Sequence, residues 1–121
     1  MLHPRLARLP AHDVAPNAVV LEASGPMARL KGLALLREHE LPGGHALLVR
    51  PCSSLHTFGM RFAIDVAFAA RDGRVLRVIR SVPPRRVHRQ PGAALALEAH
   101  SGELGRFLEG GRGAGARLLG T

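Results

Sequence analysis

The stretch from His56 to Val82 constrains the fold more than any other part of this chain, because it holds the densest apolar run and the clearest turn signal. Within it, Ile64–Ala70 carries apolar residues on both faces, which is typical of a strand inside a sheet. Arg71-Asp72-Gly73 indicates a tight turn, and Val75–Val82 indicates the returning strand. We therefore predict a central β-hairpin with the Phe68 side chain in the core.

Patterns on either side predict further short strands and one or two short helices. The strands are expected over residues 18–23, 45–49, 93–99 and 116–119. Pro26, preceded by Ser24 as the N-cap, indicates a helix start, and Gly32 shortens or breaks that helix. A second short helix is expected to begin at Gly102 and to end at Gly110.

Residues 80–90 are expected to form a loop between two strands. Pro83-Pro84 bars a central strand there, because proline cannot donate a ladder hydrogen bond. Six short strands with one or two small helices predict an α+β, mostly β domain. The expected sheet is small, barrel-like and antiparallel or mixed.

The length of 121 residues fits one domain. We divide the chain into an N-terminal arm over residues 1–16 and a single domain over residues 17–121. Cys52 is the only cysteine, which excludes an intramolecular disulfide and fits a reducing compartment. The N-terminus lacks the apolar run of a signal peptide, and no stretch approaches the roughly 18 apolar residues of a spanning helix. We expect a soluble, cytoplasmic protein without a membrane partner.

The chain is basic, with a net charge of +8. Its clearest local cluster is the Arg80–Arg89 segment, which contains four arginines and no acid. The candidate anion-binding residues are Arg80, Arg85, Arg86 and Arg89; the alternative is a solvated loop. The chain has no Trp or Tyr and only four Phe, so it lacks a stacking platform for bases. We therefore expect only weak, non-specific nucleic-acid binding.

Asp65 is a carboxylate inside the apolar run, and a buried carboxylate needs partners. One hypothesis places it in a polar ligand site at one end of the sheet. The candidates for that site are His56, Thr57, Met60, Arg61 and Asp65. The alternative is a structural anchor, in which Asp65 accepts hydrogen bonds from the loop of residues 56–61. A third interpretation leaves Asp65 exposed on the surface.

Cys52 and His56 raise the question of a metal site or a nucleophile. Two ligands spaced C-x3-H do not make a zinc site, and no second pair is spaced to complete one. Cys52, His56 and Asp65 have the residue types of a nucleophilic set, but residue types alone do not establish geometry. The sequence favours Cys52 as a small buried apolar residue. We predict no cofactor or metal and assign no catalytic residue.

Several short motifs follow one another along the chain. They are Gly32-Leu33, Leu41-Pro42, His56-Thr57-Phe58-Gly59-Met60, Ile64-Asp65-Val66-Ala67-Phe68, Asp72-Gly73-Arg74-Val75 and Leu97-Glu98-Ala99-His100-Ser101-Gly102. As an ordered set they resemble the DUF192 family, also called UPF0127, over about residues 18–119. The resemblance implies a small β-rich, barrel-like domain without an established activity.

The chain departs from the pattern of that family at two places. Phe58-Gly59-Met60-Arg61-Phe62 stands where the family often has an aromatic-Met-Lys-Asn run. Gly111-Arg112 stands where the family often has Gly-Asp. These departures count against a site that needs that asparagine or that second acid.

These observations predict a small soluble binding or accessory domain, whose partner is a small ligand or a protein. An enzyme with a polar site around His56 and Asp65 is the first alternative. Anion or nucleic-acid binding through the Arg80–Arg89 loop is the second. Whether the protein is an enzyme stays open at the level of sequence.

Overall fold

The computed structural model describes residues 1–120. The helices are Pro4–Ala7 (α1) and Pro26–Lys31 (α2), with 3-10 turns at Glu38–Glu40 and Leu104–Phe107. The strands are Ala11–Ala15 (β1), Ala18–Ala23 (β2), His45–Val49 (β3), Ser54–His56 (β4), Ile64–Ala69 (β5), Val75–Val82 (β6), Val87–Arg89 (β7), Leu95–His100 (β8), Leu108–Glu109 (β9) and Arg117–Leu118 (β10).

Six strands form one mixed sheet in the order β1-β2-β3-β8-β5-β6. Only β2 and β3 run parallel, because the segment that contains α2 crosses between them. The remaining pairs in this sheet are antiparallel. The prediction of a mostly β, α+β domain with a mixed sheet is confirmed, but the sheet stays open instead of closing into a barrel.

Strand β5 lies between β8 and β6, and all six of its residues are buried. Its alternating side chains enter two different hydrophobic clusters. Ile64, Val66 and Phe68 belong to the first, whereas Ala67 and Ala69 belong to the second. Phe68 is fully buried, as predicted. The sheet therefore separates two cores, one on each face.

The first face is covered by the connection between β2 and β3. Leu33, Leu36 and Leu41 come from this connection and are buried against the first cluster. The second face is covered by the C-terminal segment, in which Leu104 and Phe107 are buried. Because α2 lies on the first face, a polar side chain on that face can line a site beneath the helix.

The N-terminal segment does not behave as the loosely held arm that the sequence suggested. Leu6 is buried in the first cluster, and β1 pairs with β2 at the edge of the sheet. The guanidinium of Arg5 donates hydrogen bonds to the carbonyl oxygens of Gly32 (2.9 Å) and Ala34 (2.7 Å). Part of the segment therefore holds the turn that follows α2.

Residues 80–90 also differ from the expected loop. Strand β6 continues to Val82, and β7 pairs with β4 as a separate two-stranded ribbon. Pro83-Pro84 lies in the connection between β6 and β7, and a different strand, β7, begins beyond the prolines. In the C-terminal segment, a 3-10 turn replaces the expected helix. The N-cap of α2 is Gly25 instead of Ser24.

Candidate functional site

A groove of about 290 Å³ lies between α2 and the segment that carries β4. We call it the α2–β4 groove. Its polar side chains are Arg29, Lys31, Cys52, Ser54, His56 and Glu98. The helix supplies one wall, the segment from β3 to β4 supplies the other, and β8 supplies Glu98.

Glu98 lies on β8, an interior strand of the sheet. Ala96, two residues earlier, belongs to the first core, so Glu98 projects from the same face beneath α2. The residue is only 5% exposed. Burial raises the pKa of the Glu98 carboxyl to about 7, and a backbone hydrogen bond from Leu33 opposes that rise. Glu98 is therefore about half protonated near neutral pH.

Gly32 ends α2 directly over the Glu98 carboxyl. Its φ of 50° and ψ of −126° lie in a region that side chains strongly disfavour. A Cβ at this position would lie 3.3 Å from Glu98 Oε1. Glycine is required here both for the turn and for the close approach to the carboxyl.

Arg29 carries an unused donor at the groove wall. Its Nη1 donates to the carbonyl oxygen of Pro51 at 3.3 Å. Its Nε is buried, and no acceptor for it lies within residues 1–120. A buried donor without an acceptor is uncommon in native proteins and needs an explanation, such as strain, a functional role, or a water or ion that supplies the acceptor.

Cys52 was predicted to be a small buried apolar residue; it lines the groove and is half-buried, packed against the first cluster. Its Sγ lies 3.3 Å from the carbonyl oxygen of Ser54 and can donate to it. Burial raises the pKa of the thiol, and the hydrogen bond with the Ser54 carbonyl opposes that rise. The Glu98 carboxylate raises this pKa by a smaller amount, and Arg29 lowers it by the smallest amount. A thiol of this kind stays protonated at neutral pH and is a poor nucleophile.

The five candidate ligand-site residues do not form one site. His56 lines the groove, and its ring centroid lies 5.9 Å from that of Phe58. Thr57 is buried and faces away toward the β6–β7 connection. Met60 is buried in the first core, and Arg61 is exposed.

Asp65 is a structural anchor, but it does not anchor the loop of residues 56–61 as predicted. Its Oδ1 accepts from the Ser81 N–H (2.7 Å), and its Oδ2 accepts from the Gly102 N–H (2.9 Å). Arg80 Nη1 lies 4.0 Å from the same carboxylate. The pairing of β5 with β6 is irregular at this point, and Ser81 adopts a φ of 50°. The carboxylate therefore stabilises a β-bulge.

The four candidate anion-binding arginines are not equivalent. Arg80 Nη2 donates to the carbonyl oxygen of Arg112 at 2.7 Å, so this side chain is already engaged. The backbone beside Arg85 and Arg86 is held by Thr57. The Thr57 hydroxyl donates to the Pro83 carbonyl (2.7 Å) and accepts from the Arg86 N–H (2.8 Å).

Sequence reasoning did not single out Glu98, Gly32 or Arg29 as site residues. A signal for two of them was present, since Glu98 is a carboxylate within an apolar strand and Gly32 interrupts a helical pattern. The signal for Arg29 was absent, because an arginine on a short helix is ordinarily solvated. Only the packing of α2 on the sheet brings these three residues together.

The described part of the chain contains neither a metal-ligand cluster nor a membrane-spanning helix. Residues 1–120 contain no group of three or more His, Cys, Asp or Glu side chains able to hold a metal ion. No helix within the same residues has the length and apolarity needed to cross a membrane.

Comparison with known proteins identifies a family and a fold. The model of the DUF192 family, described as an uncharacterized ACR, matches residues 11–111. No curated protein matches the chain.

Two crystal structures are similar in fold. One is a protein of unknown function from Novosphingobium aromaticivorans DSM 12444, with a TM-score of 0.71 and 18% identity over 98% of this chain and 90% of that one. The other, from Sinorhizobium meliloti 1021, is described as a "putative transcription regulator". It has a TM-score of 0.70 and 22% identity over 84% of this chain and 80% of that one. At these identities the likeness shows the fold alone.

Proposed function

Because the chain belongs to the DUF192 family, whose description states no activity, we propose from the geometry that it is a binding domain. The ligand occupies the α2–β4 groove and bonds to the Glu98 carboxyl. The volume of about 290 Å³ suits a small molecule or a single side chain of a larger partner.

The observation that carries this proposal is the difference between the two buried carboxylates. Asp65 accepts hydrogen bonds from two backbone N–H groups that close a bulge and a turn. Glu98 forms none of the ion pairs among residues 1–120 and lines the groove. A buried carboxyl without a counter-ion is costly, and such groups concentrate at functional sites.

The groove favours a ligand that both donates and accepts hydrogen bonds. Ionised Glu98 is an acceptor, and Arg29 Nε is a buried donor without an acceptor in the described chain. A carboxamide or peptide amide supplies both functions, since its N–H₂ or N–H donates and its carbonyl oxygen accepts. We therefore propose an amide-bearing ligand.

The alternatives have weaker support. A catalytic site at His56 and Asp65 is disfavoured, because the Asp65 oxygens bond to Ser81 and Gly102. Nucleic-acid binding through the Arg80–Arg89 segment stays a prediction of weak, non-specific affinity. The cytoplasm stays the proposed compartment, because Cys52 is a free thiol and a reducing compartment preserves it.

A fragment screen by NMR tests the proposal. The probes are small neutral carboxamides, and the readout is the backbone amide shifts of Gly32, Leu33 and Glu98. We expect at least one carboxamide to shift these signals, and Glu98→Gln to weaken its binding about tenfold through loss of a charge-assisted bond. Glu109→Gln is the matched control, because Glu109 is exposed on β9 and should leave binding unchanged. Carboxamides that never shift these signals, or that bind Glu98→Gln as tightly as the parent, would contradict the proposal.

A further inference from the structure

We infer that the ligand is an extended peptide that adds as a third strand to the open edge of β4. The inference rests on the proposed function, because it assigns a ligand class to the same groove. It adds the backbone of β4 to the recognition surface.

Within residues 1–120, strand β4 has a partner on one side only. It pairs with β7 in a two-stranded ribbon. The Gln90 N–H donates to the Ser53 carbonyl, and the Thr57 N–H donates to the Arg86 carbonyl, each at 2.8 Å. In an antiparallel pair, residues alternate between facing the partner and facing away. The backbone groups of Ser54 and His56 therefore point away from β7.

These outward groups are available for a ligand. Within residues 1–120, the N–H groups of Ser54 and His56 have no backbone acceptor outside the ribbon. The Ser54 carbonyl accepts the weak Cys52 thiol donor. An unpaired strand edge is a template for an added strand.

The open edge of β4 lies along the groove. Ser54 and His56 line the groove on one side, and Arg29 and Leu30 of α2 line it on the other. A peptide strand that pairs with β4 would therefore run between β4 and the helix. Side chains alternate along a strand, so one of them would enter the groove toward Glu98. The carboxamide of Asn or Gln carries a donor for the Glu98 carboxylate and an acceptor for Arg29 Nε.

The surroundings of the groove favour a peptide with an acidic residue and an apolar residue near that carboxamide. Arg29 and Lys31 place positive charge on the helix wall. Leu30 lines the groove and is 61% exposed. Phe58 lies next to His56 and is 51% exposed. Main-chain bonds to β4 would supply affinity, and these side chains would supply selectivity.

The test begins with a phage-displayed random nonapeptide library selected on the full chain. The most enriched peptide is then synthesised and added to the protein for amide hydrogen exchange. At a free peptide concentration of 100 times Kd, exchange at Ser54 and His56 should slow by about 100-fold. Enrichment of Asn or Gln beside an acidic residue is expected.

Two variants separate strand addition from other modes of binding. Ser54→Pro removes an outward N–H without removing a bond to β7 and should weaken peptide binding by at least about tenfold. Glu109→Gln, an exposed substitution on β9 outside the groove, is the control and should bind like the parent. If Ser54→Pro does not fold, the exchange measurement on the parent chain decides.

The outcomes distinguish this inference from the proposed function. An enriched peptide that leaves exchange at Ser54 and His56 unchanged overturns strand addition. Failure to enrich any peptide, while carboxamide fragments bind at Glu98, overturns the peptide inference and leaves the proposed function standing. Failure of both peptides and fragments overturns both.

Discussion

Gly32 approaches Glu98 so closely that a Cβ on the glycine would lie 3.3 Å from Oε1 of the carboxyl. This contact joins the end of α2 to the interior strand β8. It also places the backbone turn, the buried acid and the groove in one structural unit.

We predict that Gly32→Ala lowers stability by about 1–3 kcal/mol, because alanine must adopt a φ of 50° beside the Glu98 carboxyl. Chemical denaturation measures the change. Gly113→Ala is the control, since a Cβ there meets no atom within 4 Å, and its effect should be at most a few tenths of a kcal/mol. Equal stability of the two variants would show that the turn can relax away from Glu98.

The pH dependence of stability follows from the raised pKa of Glu98. The pKa of Glu98 is about 7 in the folded chain, whereas an unperturbed glutamate, as in the unfolded chain, has a pKa of 4.5. Between these values the folded chain keeps a proton that the unfolded chain has released, so stability falls as pH rises through this window. The contribution is about 3 kcal/mol at most, and it levels off above pH 7.

The free energy of unfolding is measured by chemical denaturation at several pH values for the parent and for Glu98→Gln. The difference between the two proteins at each pH gives the contribution of Glu98. The variant has no titrating group at this position, so the stability of the parent relative to the variant should decline from pH 5 to pH 8. Glu109→Gln should follow the parent. If the free energy of unfolding of the parent and of Glu98→Gln changed with pH in the same way, Glu98 would titrate alike in the folded and the unfolded chain.

Replacing Asp65 by Asn tests the bulge anchor. The amide of Asn presents a donor to the Ser81 or the Gly102 N–H, where the carboxylate presented an acceptor. We expect a loss of about 2–3 kcal/mol and faster hydrogen exchange at Ser81 and Gly102. Asp72→Asn, in an exposed turn, is the control. Faster exchange confined to residues 56–61 would instead support the anchor that the sequence suggested.

The two buried acids show how far the sequence can be read. Asp65 and Glu98 look alike in the sequence, because each interrupts an apolar strand. The local apolar pattern and the Arg71-Asp72-Gly73 turn signal were enough to predict the β5–β6 hairpin and the burial of Phe68. They cannot say which acid faces a bulge and which faces a groove. That distinction depends on the placement of β8 between β3 and β5, which is set by long-range pairing.

The Arg80–Arg89 segment shows a second feature that the sequence could not predict, namely the pairing of β7 with β4. The prolines correctly marked a break after Val82, but the pairing of β7 with β4 could not be read from composition. Three residues are too short for a clear alternation, and their hydrogen bonds go to a strand about 30 residues away. The open edge of β4, on which the peptide inference depends, follows from this pairing alone.

We predict that nucleic-acid binding is weak and independent of sequence. The arginines of the Arg80–Arg89 segment can contact phosphates, but Phe58 is the only exposed ring among the four Phe. Titration of labelled single and double strands at two salt concentrations should give Kd values of about 10⁻⁴ to 10⁻⁶ M that weaken steeply with salt. Tight, sequence-selective binding that persists at high salt would contradict this prediction.

The central claim is that a ligand bonds to the buried Glu98 carboxyl, and a carboxyl titration by NMR tests it most directly. In the free protein the Glu98 signal should titrate with a pKa of about 7. With a saturating carboxamide from the screen, the donated N–H stabilises the ionised form, so the pKa should fall and affinity should increase as pH rises through 7. A pKa of Glu98 that is the same in the free and the saturated protein would contradict the claim.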